Sequence, residues 1–413
     1  MKKNAVIVTQ YFPPEIGGGA HRSFGFAEEL SALGVEVTVV TAFPSYLIHK
    51  KHARFRFKPY EKQQVNNLTI YRTFVIPSDR GNFLMRLLYY LSFTISSTLL
   101  VLLKIRRIDI LLAISPPLFT GITGVLAKRF KSAKFILDIG DLWPESAVQL
   151  GILKNTFAIR FSQGLERWIY HHCDGINLVT KETLEQFRNN NKNGTCITYV
   201  PNFVDTCFVQ KREKDLGLVQ SLGLTDRLIF GYVGNIGVAQ GLNVVVDAAH
   251  RTRHIKEIAY VIVGDGVESS RIEREIRDLG LSNIHLLPPV SREEIVNYIS
   301  LIDVMIIPLV KVDLFRITIP SKLYESMAAE IPVILCVDGE ARSIVEQANC
   351  GVFAEPGSPD ELVDRVLTFH RNRELIAQLG KNGRAFVEER FARNNVIPKY
   401  YHELMALGVR TTS

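Results

Sequence analysis

An α/β protein of two doubly wound, Rossmann-like domains facing each other across a cleft is what this 413-residue sequence predicts. Three observations lead there. Short, apolar, β-branched runs alternate with amphipathic stretches along the whole chain, as parallel strands covered by helices on both faces must read. The alternation pauses once, at "YVPNFVDTCFVQKREKDLGL", and then restarts. The length also exceeds what a single hydrophobic core usually supports.

In the first half the strand-like runs are Ala5–Val8, Val35–Val40, Leu68–Phe74, Ile110–Ile114, Phe135–Asp138, Ile176–Val179 and Ile197–Val200. Between the first two, Ala20–Leu33 has helical spacing and is closed by Gly34; Glu182–Arg188 reads as a further helix. Pro201 and Asn202 end a strand before a charged stretch, which sets a first domain of residues 1–205 and a second of 206–389. The second series runs through Leu228–Gly234, Ala259–Gly266, "IHLLP", "VMIIP" and "PVILC". A last helical pattern, Asn382–Leu407, is expected to return to the first domain, with residues from about 390 to 413 packing there.

Composition narrows the function. The 49 Lys and Arg exceed the 42 acids by seven, and the excess is scattered, whereas a nucleic-acid binder shows a concentrated basic stripe. Nucleic acid is therefore not an expected partner. The one basic aromatic stretch, "KKHARFRFKPYEK" (Lys50–Lys62), suits an anionic membrane surface or a solvated loop equally well. Cys173, Cys196, Cys207, Cys336 and Cys350 form no C-x-x-C pair, which fits free thiols in a reducing compartment. Only four apolar residues, Ala5–Val8, precede Thr9, short of a secretory h-region, so the expected location is the cytoplasm. Leu87–Leu103 is uncharged but carries five Ser and Thr residues; a buried or membrane-surface helix is expected rather than a span.

The glycine- and proline-rich interruptions all fall where a strand should end, which is where doubly wound folds bind ligands. They are Gly17–Gly19, "GDLWPE" (Gly140–Glu145), "GNIGVAQG" (Gly234–Gly241), "GDG" (Gly264–Gly266) and "IPSKLYES" (Ile319–Ser326). In the last, Ser321 is expected to cap the helix that Pro320 opens, with Lys322 in the first turn. The helix dipole disfavours a cation there, so the lysine makes sense if an anion shares the site. Glu325, about one turn on, could accept two hydroxyls, as on a ribose. An exposed Lys–Glu pair is the plain alternative. Other chemistries lack their motifs. There is no G-x-x-x-x-G-K-[ST], H-E-x-x-H or G-x-S-x-G; "GDGVES" lacks the third glycine of the dinucleotide fingerprint; and His171 and His172 are adjacent, facing apart on a helix.

With "QYFPPEIGGGAHR", "TAFPSY", "ISPPLF", "DLWPES", "VPNFVD", "YVGNIGVAQGL", "IVGDG" and "IPSKLYESMAAEIPVI" in this order, the chain resembles the GT-B glycosyltransferases of family 4. These are retaining enzymes that use nucleotide sugars. The resemblance is nearest to a branch building bacterial surface polysaccharides such as O-antigen, capsule and colanic acid. It implies a first domain for the acceptor and a second for the nucleotide sugar. It implies that Gly17, Gly18 and Gly19 lie over the donor diphosphate and sugar, that Asp141 faces the transferred sugar, and that Asp138 and Arg22 lie near acceptor or phosphate. Lys322 would contact the diphosphate and act with Asp141 in catalysis, Glu325 the ribose, and Ser321, Gly234, Asn235, Gln240, Gly264, Asp265, Gly266 and Pro289 would complete the donor site.

Two departures stand out. Ile317 occupies the first position of the family's E-x7-E pair, which implies that those sugar contacts are absent or come from elsewhere, such as Arg316 or a backbone group. Asn235 and Gln240 stand where many members carry Arg and Lys. The implied reaction is metal-independent transfer of a hexosyl group, N-acetylated amino- and deoxy-hexosyl included. It proceeds with retention, from a UDP-sugar in preference to a GDP-sugar, and needs no cofactor. The implied acceptor is a polyprenyl-diphosphate-linked or other lipid-linked saccharide, met at the inner face of the plasma membrane by a peripheral enzyme. A nucleotide-sugar epimerase of the same fold and a non-catalytic nucleotide-sugar-binding assembly partner are the alternatives.

Overall fold

The computed structural model describes residues 3–15, 17–44, 58–78, 83–190 and 194–409. The chain divides into two compact units, residues 1–201 with 393–413, and residues 202–392.

The first unit runs β1 (Asn4–Val8), α1 (Gly18–Ala32), β2 (Glu36–Ala42), β3 (Tyr60–Val65), β4 (Leu68–Thr73), α2 (Phe83–Lys104), β5 (Ile110–Ser115), α3 (Thr120–Lys131), β6 (Lys134–Ile139), α4 (Glu145–Gln149), α5 (Thr156–His172), β7 (Gly175–Leu178), α6 (Lys181–Asn190) and β8 (Cys196–Tyr199). Its eight strands lie in the order β3-β4-β2-β1-β5-β6-β7-β8. All neighbours are parallel except β3 and β4. The order reverses between β1 and β5, the switch point of a doubly wound sheet. β1 and β5 are buried almost throughout, which is why the sequence shows apolar runs rather than alternation.

The second unit runs α7 (Leu216–Ser221), β9 (Leu228–Val233), α8 (Asn243–Thr252), β10 (Ile258–Val263), α9 (Ser269–Asp278), β11 (Ile284–Leu287), α10 (Arg292–Leu301), β12 (Val304–Pro308), α11 (Ser321–Ala328), β13 (Val333–Cys336), α12 (Glu340–Ala348), β14 (Gly351–Phe353), α13 (Pro359–Arg371) and α14 (Glu374–Arg390). Its strand order, β11-β10-β9-β12-β13-β14, is the all-parallel 3-2-1-4-5-6 arrangement, with the switch between β9 and β12.

The final helix differs from expectation. Asn382–Leu407 is not continuous: α14 stops at Arg390, and α15 (Arg393–Val409) starts after Phe391 and Ala392 and belongs to the first unit. The break has a tertiary cause. Phe391 still belongs to the second unit, where its ring packs at a tilt 4.5 Å from Tyr324 and its carbonyl accepts Val204 N–H at 3.0 Å. α15 then packs on α1, with Arg393 bonding Glu28 and Glu29 at 2.9 Å each.

Two further expectations change. Residues 50–57 of the basic aromatic stretch lie outside the described residues, and Tyr60–Lys62 are part of strand β3 rather than a loop. β3 escapes notice because "YEKQQV" is a polar edge strand, and β14 because it has three residues. Leu87–Leu103 lies within α2, whose Tyr89, Phe93, Leu100 and Val101 are buried while Ile95, Leu99 and Leu103 are exposed. Ser97 and Thr98 meet Thr123 of α3, so these hydroxyls serve helix packing. The segment Leu84–Lys104 has the length and composition of a membrane span, with 39% of it buried within the fold. The five cysteines are unpaired; Cys173, Cys336 and Cys350 are buried.

Candidate active site

In the second unit the strand ends build a crevice at the β9–β12 switch. β9 runs into Gly234 (φ 132°), a conformation that favours glycine. Two backbone loops then meet: a Cβ on Gly264 would stand 1.9 Å from the Gly234 carbonyl oxygen, and one on Gly266 2.2 Å from that of Ile236. Ile236 N–H donates to Asp265 O at 3.0 Å. "GNIG" and "GDG" are therefore glycine-rich because their main chains touch. Asp265 accepts from Gly266 N–H at 2.7 Å and Ser269 Oγ at 3.1 Å, which folds its carboxylate back onto its own loop. Asn235 Nδ2 and Gly237 N–H both donate to Gln240 Oε1, at 3.3 and 3.1 Å. Asn235 and Gln240 thus brace the loop. Pro289 is exposed two residues beyond β11.

Lys322 is the centre of this crevice. Its Nζ lies 4.8 Å from the centroid of the Tyr232 ring, and its stem presses on Gly234, where a Cβ would come within 2.7 Å of Cε. Tyr232 is buried and donates its hydroxyl to Asn235 O. Among the described residues no carboxylate lies within ion-pair distance of Lys322. The expected cap is corrected: Ser321 is the first helical residue, the capping position is Pro320, and no side chain closes the helix mouth. Proline holds φ at −61° and has no side-chain oxygen to offer. An ammonium and the uncapped positive end of α11 therefore sit together with no carboxylate in ion-pair distance among the described residues, an arrangement that suits an anion. Glu325 is half-buried one turn on. Ile317 ends the short 3₁₀ helix Asp313–Ile317, and Arg316 lies 3.6 Å from Asp338. Tyr232 was not legible as a site residue; a hydroxyl-bearing ring inside the run "LIFGYVG" was the available signal.

In the first unit the glycine turn is tighter than expected. Gly17 (φ 133°) is the capping residue, and Gly18 and Gly19 already belong to α1. All three are exposed, no side chain caps the helix, and no acid occupies its first turn. A Cβ at Gly17 or Gly19 would meet no atom within 4 Å. The backbone explains glycine at 17, but nothing inside the fold explains it at 19. At the end of β6, Gly140 N–H bonds Ser115 O at 2.9 Å and Asp141 stands exposed, without a hydrogen-bond partner among the described residues.

Arg22 and Asp138 are corrected. Both are buried, and they pair with each other, with Arg22 also donating to the Val200 and Pro201 carbonyls at 2.9 and 3.0 Å. Neither presents a free face to acceptor or phosphate, because the pair anchors α1 and the end of β8 to β6. Sequence reasoning also passed over Gln10, two residues beyond β1, whose side-chain amide is buried without a partner among the described residues. Among those residues no group of three His, Cys, Asp or Glu is placed to hold a metal.

Comparison with known proteins identifies both units. Residues 17–202 match the "Glycosyl transferase 4-like domain" family and residues 218–386 the "Glycosyl transferases group 1" family. A relative in Escherichia coli K12, named "Putative colanic acid biosynthesis glycosyl transferase WcaI", is 24% identical over 406 residues, covering 95% of this chain and 97% of its own. Among solved structures, a sucrose-phosphate synthase from Thermosynechococcus elongatus superposes with a TM-score of 0.74 at 16% identity, over 98% of this chain and 100% of its own. Anabaena Alr3699/HepE in complex with UDP-glucose gives 0.72 at 15% identity, over 98% and 99%. Both are GT-B in fold. The chain carries, one in each unit, a 4-like domain and a group 1 domain, and is a glycosyltransferase.

Proposed function

We propose that the protein moves a hexosyl group from a nucleoside diphosphate sugar to a lipid-linked saccharide, with retention at the anomeric carbon, in the assembly of bacterial surface polysaccharide. The observation that carries this reading is Lys322, an ammonium without a carboxylate partner among the described residues, at the uncapped mouth of α11 and against Gly234. Relatives support the finer points: one is named for colanic acid biosynthesis, and one structural neighbour holds UDP-glucose, which favours UDP over GDP.

The leaving diphosphate gathers negative charge as the bond from the anomeric carbon to its phosphate oxygen breaks. Lys322 and the helix N–H groups meet that charge without waiting for solvent to reorganise. The acceptor hydroxyl bonds to the anomeric carbon on the same face and gives its proton to the departing phosphate oxygen. Asp141 steadies the positive character of the sugar. Glu325 holds the ribose hydroxyls. No metal or cofactor enters a step. The enzyme works at the cytoplasmic face of the inner membrane, docked by the first unit.

The test is incubation with UDP- and GDP-sugars, alone and with lipid-linked saccharide, and determination of the product's anomeric configuration. Transfer with retention is expected, and Lys322→Ala should lose about 3 kcal/mol of transition-state stabilisation, as for one oxyanion-hole donor. Near-normal turnover of Lys322→Ala at saturating donor would overturn the phosphate assignment. Conversion of the donor alone to another sugar would instead indicate an epimerase, and binding without transfer a silent partner.

A further inference from the structure

The face of the first unit formed by α2, α4 and α5 holds a cavity of about 420 Å³, within the ~300–1,000 Å³ of small-molecule sites. Its walls are almost wholly apolar and include Tyr90, Phe119, Trp143, Ala158 and Phe161. Arg86 is the one charged residue lining it, and among the described residues it makes no ion pair or hydrogen bond. The surface around the opening continues the same chemistry: Leu84 is 61% exposed, Phe157 80% and Phe161 60%. Cores do not leave such surface to water without reason.

We infer that this cavity binds the hydrocarbon chain of a polyprenyl diphosphate, with Arg86 on its phosphate. The inference rests on the lipid-linked acceptor proposed above and gives it a site. Two observations favour this occupant. A lone guanidinium on an apolar wall matches an amphiphile whose anionic phosphate joins directly to hydrocarbon, and a hollow rather than a convex face takes a single chain rather than a membrane plane. The wall is also continuous with the candidate active site. Trp143 belongs to the turn that carries Asp141, and its ring packs 5.9 Å from Phe119, itself 6.4 Å from Tyr90 of α2. A chain seated there lies against the turn that carries Asp141.

The test uses the full chain with Trp168→Phe, which leaves Trp143 as the single tryptophan of the two. Its fluorescence is titrated with geranylgeranyl diphosphate, geranylgeraniol and inorganic pyrophosphate. The prenyl diphosphate should give a saturable change and pyrophosphate none. Ala158→Phe and Ala147→Phe, which fill the cavity from two helices, should each raise the Kd about tenfold, equivalent to losing two or so buried methylenes. Arg86→Gln should raise it about threefold for the diphosphate and leave geranylgeraniol unchanged. A silent Trp143, or equal binding in the filled variants, overturns the inference. So does a filled variant that loses self-association or vesicle binding while the wild type ignores the prenyl diphosphate; a second copy or a membrane would then own this face. The functional reading fails separately, by absence of glycosyl transfer to lipid-linked and lipid-free saccharides alike, even where the prenyl diphosphate binds.

Discussion

Arg22 and Asp138, 116 residues apart, form a bidentate buried ion pair, with Nε–Oδ2 at 2.7 Å and Nη2–Oδ1 at 2.8 Å. The pair extends through Asn177, which donates to Asp138 at 3.3 Å and to the Tyr400 hydroxyl at 2.7 Å. Four elements, α1, β6, β7 and α15, thus share one polar network inside the first unit. Tyr400 is fully enclosed, and burial pushes its hydroxyl well above the usual phenol range. Removing one member of a buried pair leaves the other charged and unpaired, which costs about 3–5 kcal/mol. Asp138→Ala should therefore destabilise the first unit by that amount in urea. The two tryptophans, Trp143 and Trp168, both lie in this unit and report it. Nucleotide binding, proposed for the second unit, should survive under native conditions.

Gly19 separates a folding role from a ligand role. It sits in the first turn of α1 with open space where a Cβ would be. Glycine there is about 0.5–1 kcal/mol less favourable than alanine. Gly19→Ala should raise the stability of the first unit by up to that much and yet lower transfer, if donor passes over this turn. Unchanged transfer in the more stable variant would remove the turn from the site.

Gly234→Ala tests Lys322 without removing it. The added Cβ would stand 2.7 Å from Cε and 2.9 Å from Nζ, on a backbone at φ 132°. The ammonium must move off Tyr232, so binding of a nucleoside diphosphate should weaken as it does in Lys322→Ala. A ligand at 100 times its Kd adds about 2.7 kcal/mol to stability, and both variants should show most of that gain missing in a thermal-shift titration.

His285, half-buried on β11, has its pKa lowered by desolvation and then by the Arg227 charge. The unfolded chain therefore takes up this proton first as pH falls below about 6.5. Its contribution to stability is complete above that value and is lost as pH drops through the lower folded value. His285→Gln should make the urea midpoint of the second unit less sensitive to acid as pH falls below about 6.5. An unchanged pH profile would mean that the imidazole is not titrating against burial.

Much of the fold was legible because parallel strands buried on both faces announce themselves as apolar runs. β1, β5, β9 and β12 appear in the sequence within a residue or two of their bounds. The strand-end glycines were legible for the same reason, since glycine marks close backbone approach. Polar β3, three-residue β14 and the break at Phe391 were not. An edge strand has one partner and little apolar content, and the break answers to contacts with Tyr324 and Val204, far off in sequence.

The sequence by itself determined two doubly wound units, the strand-end turns and a lysine placed against its helix dipole. These follow from periodicity, glycine and local electrostatics, all short-range along the chain. Tertiary structure alone decided which charges are spent on the fold and which are left without a carboxylate partner among the described residues. Arg22 and Lys322 look equally available in the sequence. Packing encloses one with Asp138 and leaves the other over an aromatic ring, because a charge removed from water must be paired.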